Sequence, residues 1–195
     1  MTKRWEAIHL DLPDWLQESV DLGYTAPTQG DRMEFVIDLA LRNVRAETGG
    51  PFAAAVFESE SGKLVAPGVN RVVPTAVSFA HAEIMAIGGA NTVTGDFDLG
   101  GPGQPPMELV ASTEPCALCL GAIVWSGVRS VVTGARDADA RSIGFDEGPK
   151  VEDWVGALEM RGIAVATDVS RRASVAVLQA YVASGQIIYN GRRDA

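Results

Sequence analysis

Two short segments constrain this chain more than any other part of its sequence. Cys116 and Cys119 are its only cysteines and lie directly after Pro115, whereas His81 and Glu83 lie upstream. Residues three apart share one face of a helix, so both thiols would point the same way. Proline suits the first helical position, and the positive end of a helix dipole stabilises nearby thiolates. The pattern therefore predicts two metal-binding cysteines at the start of a helix.

His81 can supply a third ligand, because zinc binds both cysteine and histidine side chains. Three protein ligands leave one tetrahedral position open for water, which is typical of a catalytic zinc. Glu83 is then free to carry protons. On an ideal helix residues 81 and 83 point about 200° apart, so both must lie in the first turn, where side chains lean towards the N-terminus. We therefore predict about one catalytic Zn²⁺ per chain.

Two other interpretations of the cysteine pair stay open. A structural zinc module normally has a fourth protein ligand. The chain has no third cysteine, and its other histidine, His9, is distant in sequence and is interpreted as structural or exposed. A redox Cys-x-x-Cys pair is the second alternative, and it leaves His81 and Glu83 without a role.

Composition narrows the class of protein. The hydrophobic fraction of 47% and the charged fraction of 21% are typical of a soluble globular protein. A net charge of −9 disfavours nucleic acid as a partner, because phosphate groups would be repelled. No segment approaches the ~20 apolar residues of a membrane span, and no apolar leader begins the chain. We therefore expect a cytoplasmic protein with a small-molecule substrate and no membrane partner.

Periodicity and breaker residues divide the chain into alternating elements, preceded by an N-terminal extension over residues 1–30. Helices are predicted over 13–20, 31–48 with Asp31 as cap, 78–90 ending at Gly88-Gly89, 115–126, 151–160 and 170–184. Strands are predicted over 52–57, 63–73, 107–111, 128–133 and 163–166, with a surface loop over 94–106 and a loop or broken helix over 137–149. A short terminal segment covers 186–190.

This order of elements predicts an α/β fold in a single domain over residues 1–195. The first two strands form a hairpin, so the sheet is mixed, and helices should cover both of its faces. Both predicted zinc helices follow a strand, which places the site at one edge of the sheet, where ligand sites of open α/β sheets lie.

The chain resembles the cytidine-deaminase superfamily and, within it, the bacterial guanine deaminases, over roughly residues 49–190. The resemblance rests on Gly-Pro-Phe-Ala-Ala-Ala-Val at 50–56, Asn70, His-Ala-Glu at 81–83, Ser-Thr-Glu-Pro-Cys-Ala-Leu-Cys at 112–119, Gly-Phe-Asp-Glu-Gly-Pro at 144–149 and Ile-Tyr-Asn at 188–190. The zinc signature is common to the superfamily. The last two segments are what indicate the guanine deaminases. The resemblance implies a three-layer α/β/α fold with a five-stranded mixed sheet and a homodimer.

The activity implied by the resemblance is the hydrolytic deamination of guanine to xanthine and ammonia. Glu83 would transfer the protons, since one carboxylate within reach of each donor and acceptor can serve every step. Asn70 would contact the purine edge, or else is only a turn residue at a strand end. Ala82 would offer its backbone N–H to a substrate carbonyl.

Three aromatic residues are implied as substrate contacts. Phe52 and Trp125 would sandwich a flat base, although both could equally be core residues. Trp125 lies six residues after Cys119, and an ideal helix turns it away from the metal. Tyr189 would reach an active site through the C-terminal segment, in its own or a neighbouring subunit, unless it serves ordinary packing.

Glu147 is the acid that the resemblance places opposite a guanine-type substrate. A carboxylate can accept hydrogen bonds from the exocyclic amine and ring N–H of guanine. The alternative is that Asp146 and Glu147 are two solvated loop acids. The substrate itself stays open, because guanosine, ammeline or another triazine, and cytosine also carry an amine on such a carbon. A transfer-RNA adenosine deaminase would share the zinc site but should carry a basic face.

Overall fold

Five strands form one mixed sheet in the order β2-β1-β3-β4-β5. The computed structural model describes residues 7–21 and 23–191, so the first six residues of the predicted extension lie outside the described part. The strands are β1 (Ala53–Glu58), β2 (Leu64–Val69), β3 (Met107–Thr113), β4 (Ser130–Ala135) and β5 (Ala164–Ala166). β1 is antiparallel to β2 and β3, whereas β3, β4 and β5 run parallel. The predicted hairpin and mixed five-stranded sheet are confirmed.

Helices cover both faces of this sheet. They are α1 (Asp14–Ser19), α2 (Gln29–Arg45), α3 (Val72–Thr75), α4 (Ala82–Thr94), α5 (Ala117–Ser126), α6 (Asp137–Ser142), α7 (Trp154–Glu159) and α8 (Arg171–Ser184). Alternate residues of β1 point to opposite faces, as a strand requires. Ala55 and Phe57 pack with α2 and α8, whereas Ala54 and Val56 pack on the side of α4, α5 and α7. The three-layer α/β/α arrangement implied by the resemblance is therefore confirmed.

Close packing of α4 on β2 fixes the position along the sheet at which α4 begins. Gly68 of β2 lies so near α4 that an added Cβ would overlap the backbone of Ala82 and Ala86. Only glycine leaves room for this approach. The start of α4, which carries His81 as its N-cap, is thereby held against the sheet.

The starts of both predicted zinc helices differ from the sequence prediction. His81 and Cys116 are N-cap residues with extended backbone, so α4 begins at Ala82 and α5 at Ala117. Pro115 therefore precedes the helix and does not occupy its first position. α4 also continues through the two central glycines and ends at Gly95, whose φ of 70° suits a left-handed helix terminus.

Other boundaries shift for local reasons. Thr28, not Asp31, caps α2, and Asp31 completes a capping box as the third helical residue. β2 ends at Val69, and the one-turn helix α3 follows it where a longer strand is predicted. The polar stretch after β4 contains the short helix α6, and residues 186–190 form neither helix nor strand. Across the described residues, no helix combines the length and apolar character needed to cross a membrane.

The N-terminal segment packs on the domain. Leu16 of α1 is only 1% exposed and belongs to the core layer formed by α2 and α8. Trp15 donates a hydrogen bond from its indole N–H to Thr48 Oγ1 at 2.9 Å, and Arg42 lies over its ring. Trp15 thus packs onto the surface of the domain through both its ring and its indole N–H.

Candidate active site

Three metal-ligating side chains meet where α4 and α5 begin. His81 Nδ1 lies 3.4 Å from Cys116 Sγ and 3.5 Å from Cys119 Sγ. Tetrahedral zinc with ordinary Zn–N and Zn–S bonds separates such atoms by about 3.6 Å, so the three donors already have suitable spacing. Among the described residues, no fourth His, Cys, Asp or Glu joins this group, whose ligand atoms lie within 4.8 Å of one another. We call His81, Cys116 and Cys119 the ligand cluster.

Both cysteines are buried and free of disulfide bonding. The hydrogen bond with Cys119 lowers the pKa of Cys116 to about 4, because it stabilises the Cys116 thiolate. The same bond, together with burial, raises the pKa of Cys119 well above its usual value. Cys116 is therefore the thiol that ionises more readily, and because zinc binds thiolates, metal binding releases thiol protons.

Glu83 lies beside the ligand cluster without belonging to it. It is the second residue of α4, directly after the N-cap turn that carries His81, so the predicted first-turn placement of the pair is confirmed. Only 8% of Glu83 is exposed. Burial raises the pKa of its carboxyl to about 6, and the nearby Cys116 thiolate adds to the increase. A carboxyl with a pKa near neutral can both accept and return a proton.

These residues line one cavity of about 450 Å³. Its wall combines the ligand cluster side chains His81 and Cys116 with Glu83, Asn70 and Glu147. That volume falls within the range of small-molecule sites and comfortably exceeds a single nucleobase. Phe52, Ala82 and Tyr189 also line it, so the structure brings together most of the predicted site residues.

Glu147 reaches the cavity from a loop over residues 144–149, which we call the acid loop. Its backbone carbonyl accepts the N–H of Ala117 at 3.0 Å, and this bond ties the acid loop to the first turn of α5. Gly144 and Gly148 have φ of 104° and 71°, which other residues rarely adopt. Burial raises the pKa of Glu147 to about 8, with smaller contributions from the negative charges of Cys116 and Glu83. A bound divalent cation would favour the ionised form of both acids.

Asp146 has a different environment from its neighbour Glu147. Its side chain is 64% exposed, and its Oδ1 accepts the N–H of Gly148 at 2.9 Å. Its own N–H donates to Asn190 Oδ1 at 2.9 Å. Asp146 thus shapes the acid loop, whereas Glu147, at 7% exposure, faces the interior. The interpretation of both residues as solvated loop acids is wrong for Glu147.

The acid loop is further held by a largely buried ion pair. Lys150 Nζ lies 3.0 Å from Glu114 Oε2 and 3.5 Å from Asp137 Oδ1, and its side chain is 8% exposed. Glu114 immediately precedes the Pro-Cys-x-x-Cys segment. The segment that carries the two thiols and the segment that carries Glu147 are therefore joined at two points, Ala117 to Glu147 and Glu114 to Lys150.

Aromatic rings form one wall, and the central ring is Phe145. Its ring centroid lies 4.9 Å from that of Phe52 and 5.2 Å from that of Tyr189, both in edge-to-face geometry. The sequence interpretation missed Phe145 as a site residue. Its position two residues before Glu147, in the same glycine-bounded loop, is the signal that could have identified it.

Trp125 does not line the cavity of its own chain. It lies near the end of α5 with 85% of its surface exposed, because the inward side of α5 is occupied by residues such as Ile123. The expected sandwich of a base between Phe52 and Trp125 is therefore not formed within one chain. Helical geometry outweighs the resemblance at this position.

A model of the cytidine and deoxycytidylate deaminase zinc-binding region matches residues 28–135, which is more than half of the chain. The match contains the whole ligand cluster and Glu83. The chain belongs to the cytidine and deoxycytidylate deaminase family. As a zinc-binding member of this family, it provides the ligand cluster as its zinc site.

The similarity to known proteins extends beyond residues 28–135, which we call the family region. This deaminase is 38% identical to guanine deaminase of Bacillus subtilis over 111 residues, which is 57% of this chain and 67% of that protein. The structure of guanine deaminase from Nitrosomonas europaea is 47% identical, with a TM-score of 0.89, and the alignment covers 93% of this chain and 100% of that one. The protein NE0047 in complex with 2,6-diaminopurine is 48% identical, with a TM-score of 0.89 and coverage of 95% and 98%.

We predict that this deaminase binds about one zinc per chain and that Cys116→Ser or Cys119→Ser loses zinc and activity together, because serine is a poor substitute for a thiolate ligand. Metal content by mass spectrometry and ammonia release measure the two effects. His9→Ala is the matched control, since it changes the other histidine and should retain the metal. A Cys116→Ser protein with full zinc and the parent rate would contradict the assignment.

Proposed function

We propose that the protein hydrolyses guanine to xanthine and ammonia, with Glu83 as its proton carrier and Glu147 as the acid that recognises the purine. The observation that carries this proposal is a single cavity that holds a zinc site and two separate buried carboxyls. One carboxyl beside the metal is enough for hydrolytic deamination in general. The second acid, on the acid loop, is what favours a substrate with several N–H donors.

The likeness to proteins named guanine deaminase supports the same conclusion. It covers 93% of this chain, so it extends well beyond residues 28–135, which the family model matches. The relative NE0047 binds 2,6-diaminopurine, a flat purine with two exocyclic amines. A cavity of about 450 Å³ accommodates a purine of that size.

The chemistry follows from the groups in the cavity. Zinc held by His81, Cys116 and Cys119 would lower the pKa of water towards about 7. Glu83 would accept a proton from the attacking water and donate it to a ring nitrogen. It would then take the proton of the hydroxyl group added to the carbon and deliver it to the exocyclic amine, so that the C–N bond breaks, a carbonyl forms and neutral ammonia leaves. Each transfer needs the carboxyl to remain within hydrogen-bond reach, and its fixed position at the start of α4 supplies that.

The substrate is oriented by groups with complementary roles. Asn70 Nδ2 and the N–H of Ala82 would present donors to acceptors on the base, since neither donates a hydrogen bond to another described residue. Glu147 presents an acceptor to the amine and ring N–H of guanine. Such donors would also compensate for the burial of a charged Glu147, which explains why an acid is kept in so enclosed a place. Phe145 and Phe52 offer apolar surface to the ring.

We predict that purified, zinc-loaded protein releases ammonia from guanine faster than from guanosine, ammeline or cytosine, and that Glu83→Gln abolishes this while zinc stays bound. Glutamine keeps the shape but lacks the basic carboxylate, and loss of a general acid–base costs about 10²–10⁴-fold in rate. Ammonia release across the four amines and metal content are the measurements. A Glu83→Gln protein with more than about a tenth of the parent rate would require another proton carrier.

Glu147→Gln should lower activity on guanine with zinc content unchanged, because one acceptor for the purine donors becomes a donor. Asp146→Asn is the matched control: it changes the adjacent acid, which faces solvent, and should have a milder effect. Initial rates on guanine and cytosine compare the two variants. If Glu147→Ala deaminates guanine at the parent rate, the acid loop is only a connection and the preference for guanine has another origin.

We also propose a homodimer that uses the outer face of α5, close to the site. Leu118 and Trp125 lie on this face with 45% and 85% of their surfaces exposed, and Gly121 between them is exposed too. An apolar stripe centred on tryptophan is typical of an interface. Light scattering should give about twice the chain mass of 20.6 kDa, and Trp125→Glu should reduce it, whereas Met160→Glu at an equally exposed position should not. A fully active monomer at assay concentration would contradict the dimer.

Two organisational proposals complete the assignment. We propose that residues 1–195 act as one deaminase domain, since α1 packs into the same core layer as α2 and α8. A cytoplasmic location fits two cysteines that serve as metal ligands in place of a disulfide.

A further inference from the structure

The side chain of Asn70 has a single possible orientation. Its Oδ1 accepts the backbone N–H groups of Gly50 and Val72, each at 3.3 Å. Backbone N–H groups cannot accept hydrogen bonds, so a flipped amide would place Nδ2 against two donors. Nδ2 must therefore point the other way, into the cavity that Asn70 lines. Among the described residues Nδ2 donates no hydrogen bond, which leaves it available to a substrate.

Asn43 of α2 holds both backbone segments that set this orientation. It is fully buried, and its Nδ2 donates to the carbonyls of Gly50 at 2.8 Å and Asn70 at 3.0 Å. Gly49 has no room for a side chain, because an added Cβ would overlap the carbonyl of Asn70. Asn43 thus fixes the position of Asn70 itself and of the Gly50 N–H that orients its amide.

Asn43 is oriented in turn by Thr48 and Trp15. The Thr48 hydroxyl donates to Asn43 Oδ1 at 2.8 Å and accepts the indole N–H of Trp15 at 2.9 Å. An indole N–H can only donate, so it forces the hydroxyl hydrogen towards Asn43. With its oxygen occupied, Asn43 can direct only its amino group at the two carbonyls. In the series of hydrogen bonds that leads from Trp15 through Thr48 and Asn43 to Asn70, each donor and each acceptor is therefore fixed.

A second connection joins the same parts of the chain. Arg71, directly after Asn70, donates from Nη1 to the carbonyl of Thr48 at 2.6 Å and from Nε to the carbonyl of Asp11 at 3.0 Å. The N-terminal segment is thus attached to Arg71 through Asp11 and to Thr48 through Trp15. Asp11 and Trp15 both lie before position 28, where the residues matched by the family model begin.

We propose that Trp15, Thr48 and Asn43 are positioning residues for Asn70, so that helix α1 contributes to substrate binding and not only to stability. The proposal rests on the proposed function, in which Asn70 contacts the base. Without the Thr48 hydroxyl, the Trp15 N–H and the Asn43 oxygen are both unpaired, and Asn43 is free to reorient. The hydrogen bonds from Asn43 to the carbonyls of Gly50 and Asn70 then weaken, and the side-chain amide of Asn70 is no longer held in position. Buried networks of this kind depend on every member being satisfied.

The test is the isosteric substitution Thr48→Val in the full-length, zinc-loaded protein. It should raise KM for guanine and the Kd of 2,6-diaminopurine by about tenfold, since small misplacements of positioning groups have effects of this order or larger. Trp15→Phe should act in the same direction. Thr48→Ser keeps the hydroxyl and should restore the parent KM and Kd. Gln17→Ala is the matched control on α1, because it removes only an exposed hydrogen bond to the carbonyl of Leu12.

A merely structural role gives a different result. It would lower the melting temperature and the active fraction, and hence the apparent kcat, while KM and Kd stay at parent values, and that result would overturn the proposal. In an Asn70→Ala background, Thr48→Val should add no further loss of 2,6-diaminopurine binding, because Trp15, Thr48 and Asn43 then have no Asn70 side chain to position. We call these three residues the relay. If the losses of binding in the two single variants add fully in the double variant, Thr48 acts on binding by a route that does not involve Asn70.

Failure of the proposed function is recognisable separately. If the parent protein releases no ammonia from guanine, guanine deamination is wrong, whereas the Kd comparison between Thr48→Val and Thr48→Ser still decides the relay. Equal Kd values for these two variants would overturn it whatever the substrate proves to be.

Discussion

The approach of His81 to the two thiols is the interaction on which the rest of this structure depends. The three donors come from chain segments on either side of β3, and they meet only because α4 packs on β2 without a side chain at Gly68. β3 then delivers Cys116 directly to the start of α5. A shift of α4 by one turn would move His81 about 5.4 Å and dissolve the site. The close sheet–helix contact is therefore as important to the metal site as the ligands.

The ligand cluster could be predicted from sequence because its spacing leaves few choices. Cys-x-x-Cys fixes two donors locally, and of the two histidines in the chain only His81 is followed two residues later by a glutamate. The helix starts could not be predicted as well. Cys116 has extended backbone, and the first N–H of α5, at Ala117, is satisfied by the distant carbonyl of Glu147. Such a bond between remote segments leaves no trace in local propensity, so the sequence predicts the start of α5 two residues early, at Pro115.

Phe145 and Trp125 show the same limit of sequence-based prediction, since one is a site residue that it misses and the other is a residue that it wrongly places in the cavity. Trp125 looks like a substrate residue by resemblance, yet its helix turns it outward to 85% exposure. Phe145 has no motif of its own, yet the acid loop folds it between Phe52 and Tyr189. In both cases the deciding factor is the direction of a side chain relative to a third element. Sequence spacing gives that direction within one helix but not between a loop and a C-terminal segment.

Burying two acids in one cavity of an already acidic protein lowers its folding stability, and this loss distinguishes the site from a structural zinc module. Glu83 and Glu147 are 8% and 7% exposed, and the negative charge of Glu83 adds to the rise that burial causes in the pKa of Glu147. A metal staple would need neither carboxyl, and apolar side chains in their place would stabilise the fold. Departures of this kind from the rules of a stable core are expected where chemistry is performed. A zinc ion held by the ligand cluster would compensate for the charge of Glu83, whereas Glu147 stands on a separate loop. The described residues of the cavity supply no hydrogen-bond donor to its carboxyl. Under the proposed function the N–H groups of the substrate would fill that role, which would favour an amino-purine over a ring with a single amine.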